Sequence, residues 1–204
     1  MGVMEIASEK PEGLRERKRR ETLARIAETG LKLFIENGYE ATTLDAIAAA
    51  AGISRRTFFY YFTSKEEVLL SWQDSGFQQA LRSAMLECSP DQTPLDAVRE
   101  CLLGLASGYE TKESVVVDRL MQSTKALRAR KEALFVEMER TLVEVMGELW
   151  PATSQRETLR MVAMMAIGTL RLALENWRRS KAKHPLAYHL RHSFELLARQ
   201  LGSE

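Results

Sequence analysis

The stretch Thr42–Lys65, TTLDAIAAAAGISRRTFFYYFTSK, constrains the fold more than any other part of the chain. Thr43 can cap a short helix over Leu44–Ala50, because its hydroxyl accepts from a free amide two or three residues on. Ala51-Gly52-Ile53 then turns the chain, and Gly52 can take the positive φ that other residues resist. Ser54 is placed to cap a second short helix over Arg55–Tyr61. Ala48, Gly52 and Phe58 fall where a helix-turn-helix needs a small contact residue, a turn and a plug between the two helices. Ile47 and Ile53 complete that small core.

With those residues turned inward, Arg55, Arg56 and Tyr60 share the outward face of the second helix, since positions four apart lie together. Two arginines and a tyrosine on a short capped helix suit the major groove of DNA. The same geometry also occurs in proteins that bind no DNA, and an alanine-rich run can serve packing alone.

Composition limits where a nucleic-acid surface could lie. The 204 residues are 45% hydrophobic and 28% charged, with a net charge of only +1. The chain is no polycation, so any such role rests on local patches. The sharpest patch is Arg15–Arg20, RERKRR, which contains Arg17 and is basic at five of six positions. It could touch phosphates or enter a minor groove; a solvated helix start would carry the same charges.

Residues 1–14 read as a flexible arm, 15–66 as a helix-turn-helix domain and 67–204 as a second, helical domain. A first helix is predicted from Leu14 to about Asn37, with Leu23, Ile26, Ala27, Gly30, Leu31 and Phe34 on one buried face and Gly38 as its stop. Ser64 and Glu67 form a capping box for a long fourth helix running to Cys88. Further helices are expected over 94–107, 112–122, 124–149, 154–181 and 185–201, with Pro90, Pro94, Gly108, Pro151 and Pro185 as breakers. No strand is expected. The fold class is therefore all-α, with about nine helices.

Met161–Leu174, MVAMMAIGTLRLAL, is apolar nearly all round, which suits a helix facing its own core on one side and a partner on the other. Met161, Met164, Gly168 and Leu172 on that helix, with Leu190, Phe194 and Leu197 on the last, would form a homodimer interface of four helices. A central helix buried inside a monomer would show the same pattern.

Residues 17–70 closely resemble the N-terminal domain of the TetR family of transcriptional regulators. The resemblance rests on LFIENGYEATTLDAIAAAAGIS followed by TFFYYFTSKEEVL. It implies that Thr43, Tyr61 and Lys65 hold phosphates and that Arg55, Arg56, Thr57 and Tyr60 lie over base edges, with Ser54 at the cap between them. Two residues depart from the family pattern: Phe59 stands where a tyrosine is usual, and Arg56 where a glycine is usual. The first removes a hydroxyl; the second adds a donor able to bind guanine bidentately. The resemblance further implies a one-component regulator, commonly a repressor, released from a palindromic operator by a small-molecule effector. An activator would share the same fold. A helical protein-interaction scaffold is the remaining reading, and it leaves the exposed arginines unexplained.

The expected partners are double-stranded DNA, a second copy of the chain and a small apolar or amphipathic ligand. Trp72, Phe77, Tyr109, Met121, Phe135, Met138, Met164, Met165 and Trp177 supply wall material for that ligand, although aromatics and methionines at helical spacing also make plain core. No enzyme is expected: the chain has no P-loop, GxGxxG or nucleophile elbow. His189 and His192 could share a metal, but no nearby Cys or Asp completes a site, so neither metal nor cofactor is predicted. Cys88 and Cys101, thirteen apart, are expected to be reduced thiols. With no signal peptide in Met1–Glu12 and no apolar run long enough for a bilayer, a cytoplasmic location without membrane contact is expected.

Overall fold

The computed structural model describes residues 13–74, 77–151, 156–181 and 183–202, apart from the side chains of residues 72–74, 109, 112 and 113. Most of the expected arm, 1–12, lies outside the described residues. The chain is all-α, with ten α-helices, one 3-10 turn at Ser107–Tyr109 and no strand among the described residues. It divides into two compact units, Met1–Ser75 and Gly76–Glu204.

The first unit contains α1 (Leu14–Asn37), α2 (Leu44–Ala50), α3 (Arg55–Tyr61) and α4 (Lys65–Asp74). Ile26, Ala27, Gly30, Leu31 and Phe34 form the buried face of α1, as their spacing requires. Gly38 ends that helix at φ 85° and ψ 150°, a backbone region open essentially to glycine alone. Phe58, Phe62, Ile47, Val68 and Leu69 complete the core. Gly30 has a role that periodicity does not reveal: a β-carbon there would come within 2.5 Å of Val68 Cγ1. Its missing side chain is what lets α4 lie against α1.

The second unit contains α5 (Phe77–Leu86), α6 (Pro94–Ala106), α7 (Lys112–Ser123), α8 (Lys125–Leu149), α9 (Arg156–Arg179) and α10 (Leu186–Leu201). The fourth helix expected to reach Cys88 is thus described as two segments, α4 and α5, flanking residues 75 and 76, which lie outside the described residues. The second segment stops at Leu86, where the Cys88 amide turns back to the Met85 carbonyl at 3.1 Å and tightens the last turn. Thr93, Thr111 and Thr124 cap α6, α7 and α8 by accepting from the amides of Asp96, Ser114 and Leu127. The α9 helix runs through the middle and packs on α6, α8 and α10.

Both ends of the unit's charge scale meet inside it. Asp118 of α7 and Lys131 of α8 are buried and paired, and Arg178 of α9 reaches the same carboxylate at 3.1 Å. Burial pulls the Lys131 ammonium below the usual lysine range, against the opposing pull of Asp118. Sequence marks this lysine only by its place on the otherwise apolar stripe Leu127, Phe135, Met138.

Candidate nucleic-acid interface

Backbone chemistry fixes the turn before it presents any charge. Thr43 Oγ1 accepts from the Ala46 amide at 3.1 Å and starts α2. At its far end the Gly52 and Ile53 amides donate to Ala49 and Ala48 at 3.1 and 3.0 Å, the paired bonds of a Schellman stop, with Gly52 at φ 68°. Ser54 Oγ then accepts from the Thr57 amide at 3.1 Å and also bonds the Thr57 hydroxyl at 2.8 Å. Phe58 is fully buried, with its ring 5.9 Å from that of Phe62. These contacts hold α3 by one face and leave the other to solvent.

That free face carries Arg55, Arg56, Phe59 and Tyr60, all exposed, with Tyr60 at 68%. The two arginines differ. Arg55 folds back onto Asp45 of α2 at 3.1 Å and lies 5.5 Å above the Phe59 ring. Arg56 points outward and is engaged by no ion pair among the described residues. Thr57 and Tyr61 are half-buried, the latter edge-on to Tyr60 at 5.1 Å. Arg17 lies on the exposed first turns of α1, 3.6 Å from Glu21.

Lys65 does more than await a phosphate. Its ammonium donates to the Tyr39 carbonyl at 2.8 Å, approaches Glu40 at 3.6 Å and lies 4.4 Å from the Tyr39 ring centre. It thereby pins the α1–α2 turn to the start of α4. The capping box there is half-formed: the Glu67 amide donates to Ser64 Oγ at 3.2 Å, but the Glu67 carboxylate takes the Thr63 amide and hydroxyl instead of the Ser64 amide. Beneath it the buried Tyr39 hydroxyl meets no partner with full hydrogen-bond geometry. Burial and the adjacent Glu66 carboxylate hold its pKa far above a tyrosine's usual value. Thr42, which the motif reading passed over, is buried, and its hydroxyl donates to Gly38 at 2.8 Å. The local signal for it is a threonine four residues after a helix-ending glycine.

Residues 26–71 match the family model described as bacterial regulatory proteins, tetR family. The N-terminal domain belongs to the TetR family. The HTH-type transcriptional regulator TcmR of Streptomyces glaucescens is 34% identical to this chain over 146 residues, covering 71% of it. The chain spans 64% of the length of that relative. Among solved structures, NalD, the secondary repressor of the MexAB-OprM multidrug efflux pump in Pseudomonas aeruginosa, superposes with a TM-score of 0.60 at 22% identity, covering 89% of this chain and 96% of its own. FadR from Bacillus subtilis in complex with stearoyl-CoA gives 0.58 at 20% identity, with 85% and 96% covered. At these identities the two structures establish the fold: an N-terminal helix-turn-helix followed by a helical domain.

The residues expected around an effector separate. Phe135, Met138 and Trp177 are buried in the core of the second unit, with Phe77 and Met165 packed against it. Met121 is fully buried in α7. Met164 instead faces outward at 49% exposure and lines a groove of about 550 Å³ with Val136, Arg140, Val143 and Arg160. The side chains of Trp72 and Tyr109 lie outside the described residues.

The interface residues also divide. Met161, Met164, Gly168 and Leu172 do share an exposed face of α9. Leu190 and Phe194 do not join them; they are 0% and 5% exposed, inside the chain's own core, and Leu197 is half-buried. The long apolar stripe of α10 is consumed by packing on α9 and α6. Its outward face is carried by Tyr188, His192 and Leu196, four residues apart. His189 turns its ring to Ser180 Oγ at 3.2 Å, and no group of three metal-ligating side chains occurs among the described residues. No described helix is long and apolar enough to cross a membrane.

Proposed function

We propose that this chain is a one-component transcriptional regulator that reads a palindromic operator as a homodimer and represses until a small-molecule effector releases it. The observation that carries the reading is α3: capped, anchored by Phe58 and Phe62, and presenting Arg56 and Tyr60 unobstructed. Arg56 and Arg55 read base edges, while Thr43, Tyr61, Lys65 and Arg17 hold the backbone. Ser54 and Thr57 set the helix against the groove by their mutual bond.

The exposed stripe of Met161, Met164 and Leu172 on α9, with Tyr188 and Leu196 exposed on the helix α10 that packs against it, supports dimerisation. A row of large apolar side chains left in water at a helix pair is what an isologous interface covers. Two copies would present two recognition helices to successive half-sites. The effector is an apolar or amphipathic molecule held among the helices of the second unit, the chemistry that FadR from Bacillus subtilis meets in stearoyl-CoA. Release requires that it prefer one arrangement of the helices leading from Lys65 to Leu86, since equal affinity for both shifts nothing. The fold acts by binding alone and performs no catalysis.

A mobility-shift titration with DNA from upstream of the chain's own gene, at two salt concentrations, tests the proposal. Sequence-selective binding that weakens steeply with salt is expected. Absent or salt-insensitive binding would leave the helical scaffold as the better reading.

A further inference from the structure

Cys88 and Cys101 stand thirteen residues apart in sequence, without a redox spacing, yet their sulfurs approach to 3.4 Å. Cys101 is buried in the middle of α6, whereas Cys88 is half-buried in the bend after α5. One sulfur is therefore held within a helix, and the other sits in the bend just past a helix end, where a single amide bond to the Met85 carbonyl closes the last turn. Disulfide formation requires a separation of about 2.05 Å. The remaining gap is of side-chain size and falls on the more adaptable partner.

The sulfurs are reachable. Both line an open groove of about 340 Å³, walled by Ala84, Leu105 and Gly104 and edged by Glu87 and Glu100. Their hydrogen bonds run in one direction: Cys88 Sγ donates to the Ala84 carbonyl at 3.4 Å, leaving its lone pairs to the Cys101 thiol. Burial, then the contact with Cys88, pushes the Cys101 thiol up to about 12, so it stays protonated at neutral pH. Cys88, the more exposed sulfur, is the one placed to attack, and Cys101 the one placed to resolve. The carboxylates at the rim repel anionic reagents, including glutathione disulfide, and admit neutral ones.

We propose that Cys88 and Cys101 form a redox-modification site, in which an uncharged hydroperoxide converts the dithiol into an intrachain disulfide joining the end of α5 to α6. The Cys88 thiolate attacks the terminal peroxide oxygen, the O–O bond breaks, and the departing alkoxide takes a proton to leave as the alcohol. The resulting Cys88 sulfenic acid is attacked by Cys101 sulfur as its S–H proton is lost. The S–S bond forms, and hydroxide leaves as water. In total two thiols lose two electrons and two protons, and the hydroperoxide is reduced to an alcohol and water. The site lies wholly in the second unit and does not depend on the operator reading.

The test uses the full chain, reduced and then treated with stoichiometric cumene hydroperoxide. Intact mass should fall by two hydrogens with no covalent dimer on a non-reducing gel. Dithiothreitol should restore the mass. Closing this short loop should raise Tm by roughly 5–10 °C. Cys101→Ser should stop at a sulfenic acid that dimedone traps at residue 88, whereas Cys88→Ser should react far more slowly. A gain of oxygen atoms in the unaltered chain, an intermolecular disulfide, or no reaction overturns the proposal. Equal or faster closure with glutathione disulfide overturns the assignment to uncharged oxidants.

Discussion

A β-carbon on Gly30 would meet Val68 Cγ1 at 2.5 Å, so α1 and α4 touch at a separation that only glycine permits. Alanine at position 30 would favour the helix by about 1 kcal/mol. Overpacking a filled core costs about 1–3 kcal/mol. Val68 is fully buried and β-branched, so its methyl has nowhere to swing. The second effect should win: Gly30→Ala should lower the urea midpoint of the chain. The Gly30→Ala/Val68→Ala pair should lose less than the two single variants combined. A stabilised Gly30→Ala would show that the helices part easily.

The unequal environments of the two arginines make a second prediction. Arg56→Ala should cost about 1–3 kcal/mol in operator affinity and relax one base position in each half-site. Arg55 already spends its guanidinium on Asp45 and the Phe59 ring, so Arg55→Ala should cost less. Binding arrays with single-base operator variants would measure both. A loss for Arg56→Ala that is equal on every sequence would make it a phosphate contact.

On the proposed interface, Leu172→Glu places a charge on the exposed α9 face that also carries Met161 and Met164. Covering a leucine is worth about 1.5–3 kcal/mol, so dimer dissociation should strengthen by roughly tenfold or more. Light scattering across a dilution series reads this directly. Leu190→Glu should instead lower folding stability, because that side chain is fully buried. Unchanged association in Leu172→Glu would sink the assignment of this face.

The Asp118–Lys131 pair gives a fourth prediction. Removing one partner of a buried ion pair typically costs about 3–5 kcal/mol, and Asp118→Ala would strand the Lys131 ammonium beside Arg178. Replacing both by apolar residues, Asp118→Leu with Lys131→Met, should recover most of the loss. Chemical unfolding would decide; comparable losses in the single and double variants would show that packing, not charge, set the cost.

How much of this was written in the sequence depends on the range of the interaction involved. Caps at Thr43 and Ser54, the Gly52 turn and the Gly38 stop are local, and each occurs where spacing puts it. In the second unit the starts of α6 and α10 follow from Pro94 and Pro185, and those of α7 and α8 from the Thr111 and Thr124 caps, for the same reason. What spacing could not supply was which face of α10 turns inward. A stripe of Leu190 and Phe194 fits a chain's own core as well as a partner, and only the position of α9 decides between them. The close approach at Gly30, the meeting of Cys88 with Cys101 and the burial of Lys131 likewise depend on neighbours distant in sequence. The Arg55–Asp45 pair was missed because both residues individually resemble free surface charges.

The bond between Ser54 and Thr57, with Phe58 and Phe62 behind it, separates what holds α3 from what α3 displays. Substitution of Arg56 or Tyr60 should carry little folding penalty, because both are exposed, whereas Arg55 and Phe59 also tie α3 to Asp45 and Phe58. If α3 reads base edges as proposed, its specificity can be rewritten at positions 56 and 60 while Phe58 and Phe62 keep holding the helix in place.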